Sequence, residues 1–120
     1  MWLCLNNSFV SAIEHRDKPE YLIVRARRYE HLANIFPDRI DDIFTMTTSD
    51  YAWRIEVTKV DFAKLISNSI MNINYHNFKN SVDDEELKNM YSQVWWLGLM
   101  MQESENWEDY DEDDAPGYYS

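Results

Sequence analysis

Residues 81–102, SVDDEELKNMYSQVWWLGLMMQ, constrain the fold more than any other stretch. Leu87, Met90, Tyr91, Val94, Leu97 and Met101 recur at the i, i+3, i+4, i+7 spacing of one helix face. Ser81 with Asp84 reads as an N-cap followed by a capping-box acid, and the acids of residues 83–86 sit where the helix dipole favours negative charge. Trp95, Trp96, Leu99 and Met100 widen the apolar face until the last turns are apolar nearly all round. Such a helix needs cover, either from another layer of the chain or from a partner. Leu87, Met90 and Val94 are expected to pack on a sheet, with Val24 and Trp53 opposite. Gly98 lowers helix propensity by ~1 kcal/mol relative to Ala, so a close neighbour is expected there.

Directly after this segment the charge changes. Residues 103–120 hold eight of the 22 acids and no base, so residues 1–102 carry 14 acids against 11 bases. The net charge of −11 is therefore concentrated in the tail. Residues 15–31 lean basic through His15, Arg16, Lys18, Arg25, Arg27, Arg28 and His31. Nucleic-acid binding by the whole surface is disfavoured, and a local basic face stays open. An apolar fraction of 45% and 120 residues suit one globular domain with a modest core. The single cysteine, Cys4, excludes an internal disulfide and lies in an apolar run, where an inert buried thiol is expected. No apolar run approaches the ~20 residues of a membrane span, and no signal peptide is evident. A cytoplasmic protein is expected.

Earlier in the chain, residues 2–5 and 9–14 flank the turn residues Asn6, Asn7 and Ser8 and read as a hairpin. Residues 21–27 alternate, with Leu22, Val24 and Ala26 on one side and Ile23, Arg25 and Arg27 on the other. Tyr29, Leu32, Ala33 and Phe36 have helical spacing, which Pro37 ends. Residues 43–48, opened by Asp41 and Asp42, and residues 51–58 form a second predicted hairpin, with Tyr51, Trp53, Ile55 and Val57 on one face. Thr58 with Asp61 starts a helix over 59–71. The fold class is α+β: an antiparallel sheet of about five strands in the order β-β-β-α-β-β-α-α, covered by the long C-terminal helix. Residues 1–102 are expected to form one domain and residues 103–120 a loosely ordered tail.

Three groups of residues are candidates for function. The tail and its approach, Glu103, Glu105, Trp107, Glu108, Asp109, Tyr110, Asp111, Glu112, Asp113 and Asp114, interleave carboxylates with aromatics. Such an arm can occupy a basic groove built for nucleic acid, or serve only as a solubilising appendage. Arg25 and Arg27 are suited to phosphates or to pairing with Glu14, Glu56 or the tail. Tyr75, His76 and Lys79, in an aromatic and amide-rich loop, and Trp96 on the helix, are secondary contact candidates, the loop serving equally well as a packing plug. His15, Arg25 and His31 could furnish acid-base chemistry in a small nuclease or toxin-like enzyme, although no spacing demands it. No metal-ligand spacing and no glycine-rich phosphate loop occurs, so no metal or cofactor is expected.

MWLCLNNSFVS, HRDKP followed by LIVRAR, the Phe36-Pro37 pair and NYHNFKNSV resemble a family of small phage, prophage and mobile-element proteins of proteobacteria. The resemblance covers residues 1–102 and transfers no catalytic site. By size, acidity and this origin, the chain is similar to anti-CRISPR and related anti-defence inhibitors. The expectation is a non-enzymatic protein that binds a host protein or ribonucleoprotein complex with a basic groove by mimicking nucleic acid. The alternatives are the nuclease and a phage structural or regulatory protein that dimerises through the tryptophan-rich helix.

Overall fold

Three strands open the chain: β1 (Trp2–Cys4), β2 (Phe9–Glu14) and β3 (Tyr21–Ala26). The Asn6–Asn7 turn is closed by Leu5 N–H donating to the Ser8 carbonyl at 2.8 Å. Helix α1 (Tyr29–Ile35) ends where Pro37 begins a short 3-10 turn, Pro37–Asp42. Strands β4 (Phe44–Thr45) and β5 (Trp53–Thr58) follow, then α2 (Lys59–Met71), a 3-10 turn at Lys79–Ser81 and α3 (Glu85–Asn106). This computed structural model describes residues 1–106. Internal contacts divide the chain into two compact units, Met1–Asn74 and the part that starts at Tyr75.

In the first unit the five strands form one open antiparallel sheet in the order β1-β2-β3-β5-β4. The alternation read from the sequence sets its two faces. Val10, Ala12, Val24, Ala26, Ile55 and Val57 point to one side and are buried with Leu32, Phe36 and Phe62. Phe36, just past α1, stacks on Phe62 of α2 with ring centroids 6.1 Å apart. The cover of this sheet is thus α1 and α2. Each buried aliphatic or aromatic side chain there contributes roughly 1.5–3 kcal/mol of transfer free energy. Trp53 packs against the same core and meets Tyr29 edge-on at 5.3 Å.

Thr58 caps α2 as expected, its Oγ1 accepting from Asp61 N–H at 3.1 Å. The preceding hairpin is shorter than its sequence pattern suggests. Asp41 and Asp42 belong to the 3-10 turn, and the strand expected over 43–48 contracts to Phe44–Thr45. Met46 N–H donates to the Ala52 carbonyl at 2.8 Å, so the hairpin closes there. Tyr51 consequently leaves the Trp53–Ile55–Val57 face and lies in the loop under Arg25 and Arg27. Cys4 is exposed rather than buried, because β1 is an edge strand and only its Leu3 faces the core. Glu20 takes a left-handed φ of 67° between β3 and the turn before it. Its carbonyl accepts the Lys59 N–H at 2.9 Å, tying that turn to the start of α2.

In the second unit α3 is capped by Asp84, whose Oδ1 accepts Leu87 N–H at 2.9 Å. Ser81, expected as the cap, lies in the 3-10 turn and donates its hydroxyl to the Phe78 carbonyl instead. Tyr75, Phe78 and Tyr91 form a chain of ring contacts at 5.9 and 5.2 Å, and Val82, Leu87 and Tyr91 are buried. Met90 is half-buried, but Val94, expected in a core, is 50% exposed. The apolar periodicity of α3 therefore continues onto a surface. Gly98 has no close neighbour among the described residues: a Cβ there would meet nothing within 4 Å.

Candidate interaction site

The first half of α3 is anchored by its own preceding loop. Phe78 and Tyr75 fill the space beside Tyr91, and the Lys79 ammonium lies 4.6 Å from the Trp95 ring centre. Of the loop's candidate residues, Tyr75 and Lys79 therefore have packing roles, and His76 stands exposed. Once Tyr91 is held, the rest of the helix projects its other faces outward. Val94, Leu97 and Met101 are exposed at i, i+3, i+7, with Trp96 and Met100 beside them at i, i+4. Monomeric proteins rarely leave several large apolar side chains contiguous without a use for them.

Acids bracket this stripe. Residues 83–86 precede it, and Glu103 and Glu105 follow it on the same helix, which runs to Asn106. Glu103 and Glu105 are thus held in register with the apolar residues rather than lying beyond an unstructured junction. The other tail candidates, Trp107, Glu108, Asp109, Tyr110, Asp111, Glu112, Asp113 and Asp114, lie outside the described residues. From Tyr75 onward the chain holds twelve acids against Lys79 and Lys88, whereas residues 1–74 hold ten acids and nine bases. The two units therefore differ sharply in charge.

Arg25, on β3, and Arg27, just past its end, lie on the sheet face opposite the core. Their guanidinium carbons lie 4.5 and 4.4 Å from the centre of the Tyr51 ring. Arg25 Nη2 donates to Ser11 Oγ at 2.8 Å, and Arg27 Nη1 donates to the Asp50 carbonyl at 2.7 Å. Burial alone would raise the Asp50 carboxyl pKa. The Ser49 hydroxyl, the Tyr51 N–H and the charges of Arg25 and Arg27 outweigh it, and the carboxyl is held below its ordinary value. Arg54, opposite Arg25 in register, donates to Ser49 Oγ at 2.5 Å. The sequence reading did not single out Arg54. Its only local signal was an odd position between Trp53 and Ile55.

The histidines do not converge with Arg25. His15 Nδ1 accepts the backbone N–H groups of Asp17 and Lys18, each at 3.0 Å. That pattern places the proton on Nε2, which donates to Glu56 Oε1 at 3.1 Å. Both ring nitrogens are engaged. Lys18 Nζ donates to Glu56 Oε2 at 2.6 Å, and this bond, followed by that from His15, holds the Glu56 carboxyl below its ordinary pKa. Tyr21, whose carbonyl His15 N–H contacts, is four residues from Arg25 along β3, about 13 Å at ~3.3 Å per residue. His31 is buried on α1 and accepts Phe9 N–H on Nδ1 at 3.3 Å. No group of three or more metal-binding side chains occurs among the described residues, and none of their helices is long and apolar enough to cross a membrane.

No protein-family model matches the chain, and no curated protein or solved structure matches it either.

Proposed function

We propose that this is a non-enzymatic inhibitor that docks its C-terminal helix onto the basic groove of a bacterial nucleic-acid-handling defence complex in the host cytoplasm. The carrying observation is the exposed surface of α3: an apolar stripe of Val94, Leu97 and Met101 with Trp96 and Met100, bracketed at both ends by acids. Binding energy concentrates in buried aromatic and aliphatic anchors, while peripheral charge steers encounter. A groove that holds nucleic acid offers basic rims, which the acidic ends of α3 complement. A second copy of the chain fits less well, because two such helices bring acid against acid and each carries only Lys88 to offset it. The resemblance to mobile-element proteins supports a defence complex as target, and the engaged ring nitrogens of His15 support a binding rather than a catalytic role.

The test is phage plating on bacteria that carry CRISPR or restriction systems. Expression of the full chain should restore plating of a targeted phage. A Trp96→Ala, Leu97→Glu double variant should abolish the rescue while keeping its circular dichroism spectrum. No rescue by the full chain in any such strain, or rescue undiminished by the double variant, overturns the proposal.

A further inference from the structure

We propose that the open face of the sheet binds a single-stranded nucleic acid, with Arg25, Arg27 and Arg54 on its phosphates and Trp2 and Phe44 stacking its bases. This surface is built from other residues than the helix stripe and goes beyond the inhibitory role.

The strand register assembles it. Trp2 pairs with Ser11, Ser11 with Arg25, Arg25 with Arg54, and Arg54 with Phe44. These five residues form one row across the whole sheet, on the face turned away from Val10, Val24 and Ile55. Neighbouring strands lie about 4.8 Å apart, so the row spans about 19 Å from Trp2 to Phe44. Both terminal aromatics are exposed, Trp2 at 72% and Phe44 at 39%. The row thus reads aromatic, hydroxyl, arginine, arginine, aromatic.

Positive charge exceeds negative at the centre of the row, where Arg25 and Arg54 face each other with Arg27 nearby. Like charges directly opposite each other on a sheet repel. Ser11 and Ser49 are neutral acceptors for the two guanidinium groups, and the Asp50 carboxylate interacts with Arg25 and Arg27. The Nε atoms of Arg25 and Arg54 are buried without an acceptor among the described residues. Tyr51, 4% exposed, holds Arg25 and Arg27 against its ring and so fixes their direction in advance. Anionic oxygens supply the balancing charge, and arginine matches phosphate geometry well.

Beside Phe44 the face sinks into a hollow of ≈ 350 Å³ lined by Lys18, Tyr21, Arg39, Asp42, Phe44 and Glu56. A base stacked on Phe44 would find donors and acceptors at its edge there. Exposed aromatic platforms with a basic track between them suit unpaired bases, whose faces are free, and not a duplex, whose bases are stacked inside. Of the net charge of −11, residues 1–74, which carry this face, contribute only −1 (nine bases against ten acids).

The experiment is fluorescence anisotropy with the full chain and labelled oligo(dT) and oligo(U) strands of about 12 nucleotides, a length within the range of known single-strand binding sites. Saturable binding to at least one strand is expected, and the stronger of the two identifies DNA or RNA as the source. Three phosphate contacts give a slope of about −2 in log K against log salt. Affinity should then fall about 15-fold between about 50 and 200 mM salt. Arg54→Gln and, separately, the exposed Arg27→Gln should each reduce that slope by about 0.7. Trp2→Ala and Phe44→Ala should each weaken binding roughly five- to 100-fold with the slope unchanged. Leu97→Glu on α3 should leave oligonucleotide binding as it is, which keeps this result distinct from that of the plating test. No saturable binding at the lower salt, equal affinity for a duplex, or aromatic variants that bind like the wild type would overturn the assignment. So would a loss caused by Leu97→Glu, which would move binding to α3.

Discussion

Leu32→Ala and Val94→Asp, measured side by side, test where the core of this chain lies. Leu32 is fully buried between α1 and the sheet. Its truncation removes apolar transfer energy and leaves a cavity, a loss of about 3–5 kcal/mol. That is a large share of the roughly 5–15 kcal/mol that holds a domain together. Val94 is the opposite case. With half its surface in water, it loses at most about half of the ~1.5 kcal/mol that full burial of a valine provides. Valine and aspartate have similar helix propensities, and an aspartate there stays hydrated. The expected cost of Val94→Asp is below about 1 kcal/mol. Urea unfolding followed by far-UV circular dichroism reads both. With a slope of about 2 kcal/mol per M, Leu32→Ala lowers the midpoint by about 2 M and Val94→Asp by less than about 0.5 M. A Val94→Asp loss as large as that of Leu32→Ala would refute the division between a core closed by α1 and α2 and an exposed helix stripe.

Three further outcomes follow from local features. Glu20→Asn should raise the urea midpoint, because asparagine tolerates the left-handed φ of 67° that costs other side chains about 1 kcal/mol; an unchanged or lower midpoint would show that the turn is unstrained. Glu56 is held below its ordinary carboxylate pKa by Lys18 and then His15, so its contribution is present above the unfolded value and lost as pH falls through the folded one. Glu56→Gln should therefore flatten the acid side of the stability-against-pH curve, with the difference from wild type closing below the carboxylate range; parallel curves would refute the network. Cys4 is exposed on the edge strand, and partial desolvation of its thiol raises the pKa. One thiol should react with Ellman's reagent in the native protein, slowly at neutral pH and faster as pH rises beyond the ordinary thiol range, whereas protection until denaturant is added would mean that the edge is covered.

The strand alternations at Val10 and Ala12, Val24 and Ala26, and Ile55 and Val57, the Thr58 cap with its helix over 59–71, and the order of the elements were all legible in the sequence. Each depends on neighbours a few residues apart, where backbone geometry converts spacing directly into facing. Periodicity also showed that residues 87–101 are apolar on one side, but it says nothing of which surface meets that side. Only the tertiary structure closes the sheet with α1 and α2, stacks Phe36 on Phe62, and leaves Val94, Leu97 and Met101 outward. The cap moved from Ser81 to Asp84 because the chain first makes a 3-10 turn around Phe78, whose ring packs on Tyr91. Most of the sheet-face site was hidden for the same reason. Trp2, Ser11, Arg25, Phe44 and Arg54 are scattered over 53 positions of sequence and become one row only through strand register. The turns fix the register within each hairpin, but the β3–β5 pairing that joins them is long-range and is set by which apolar faces bury together.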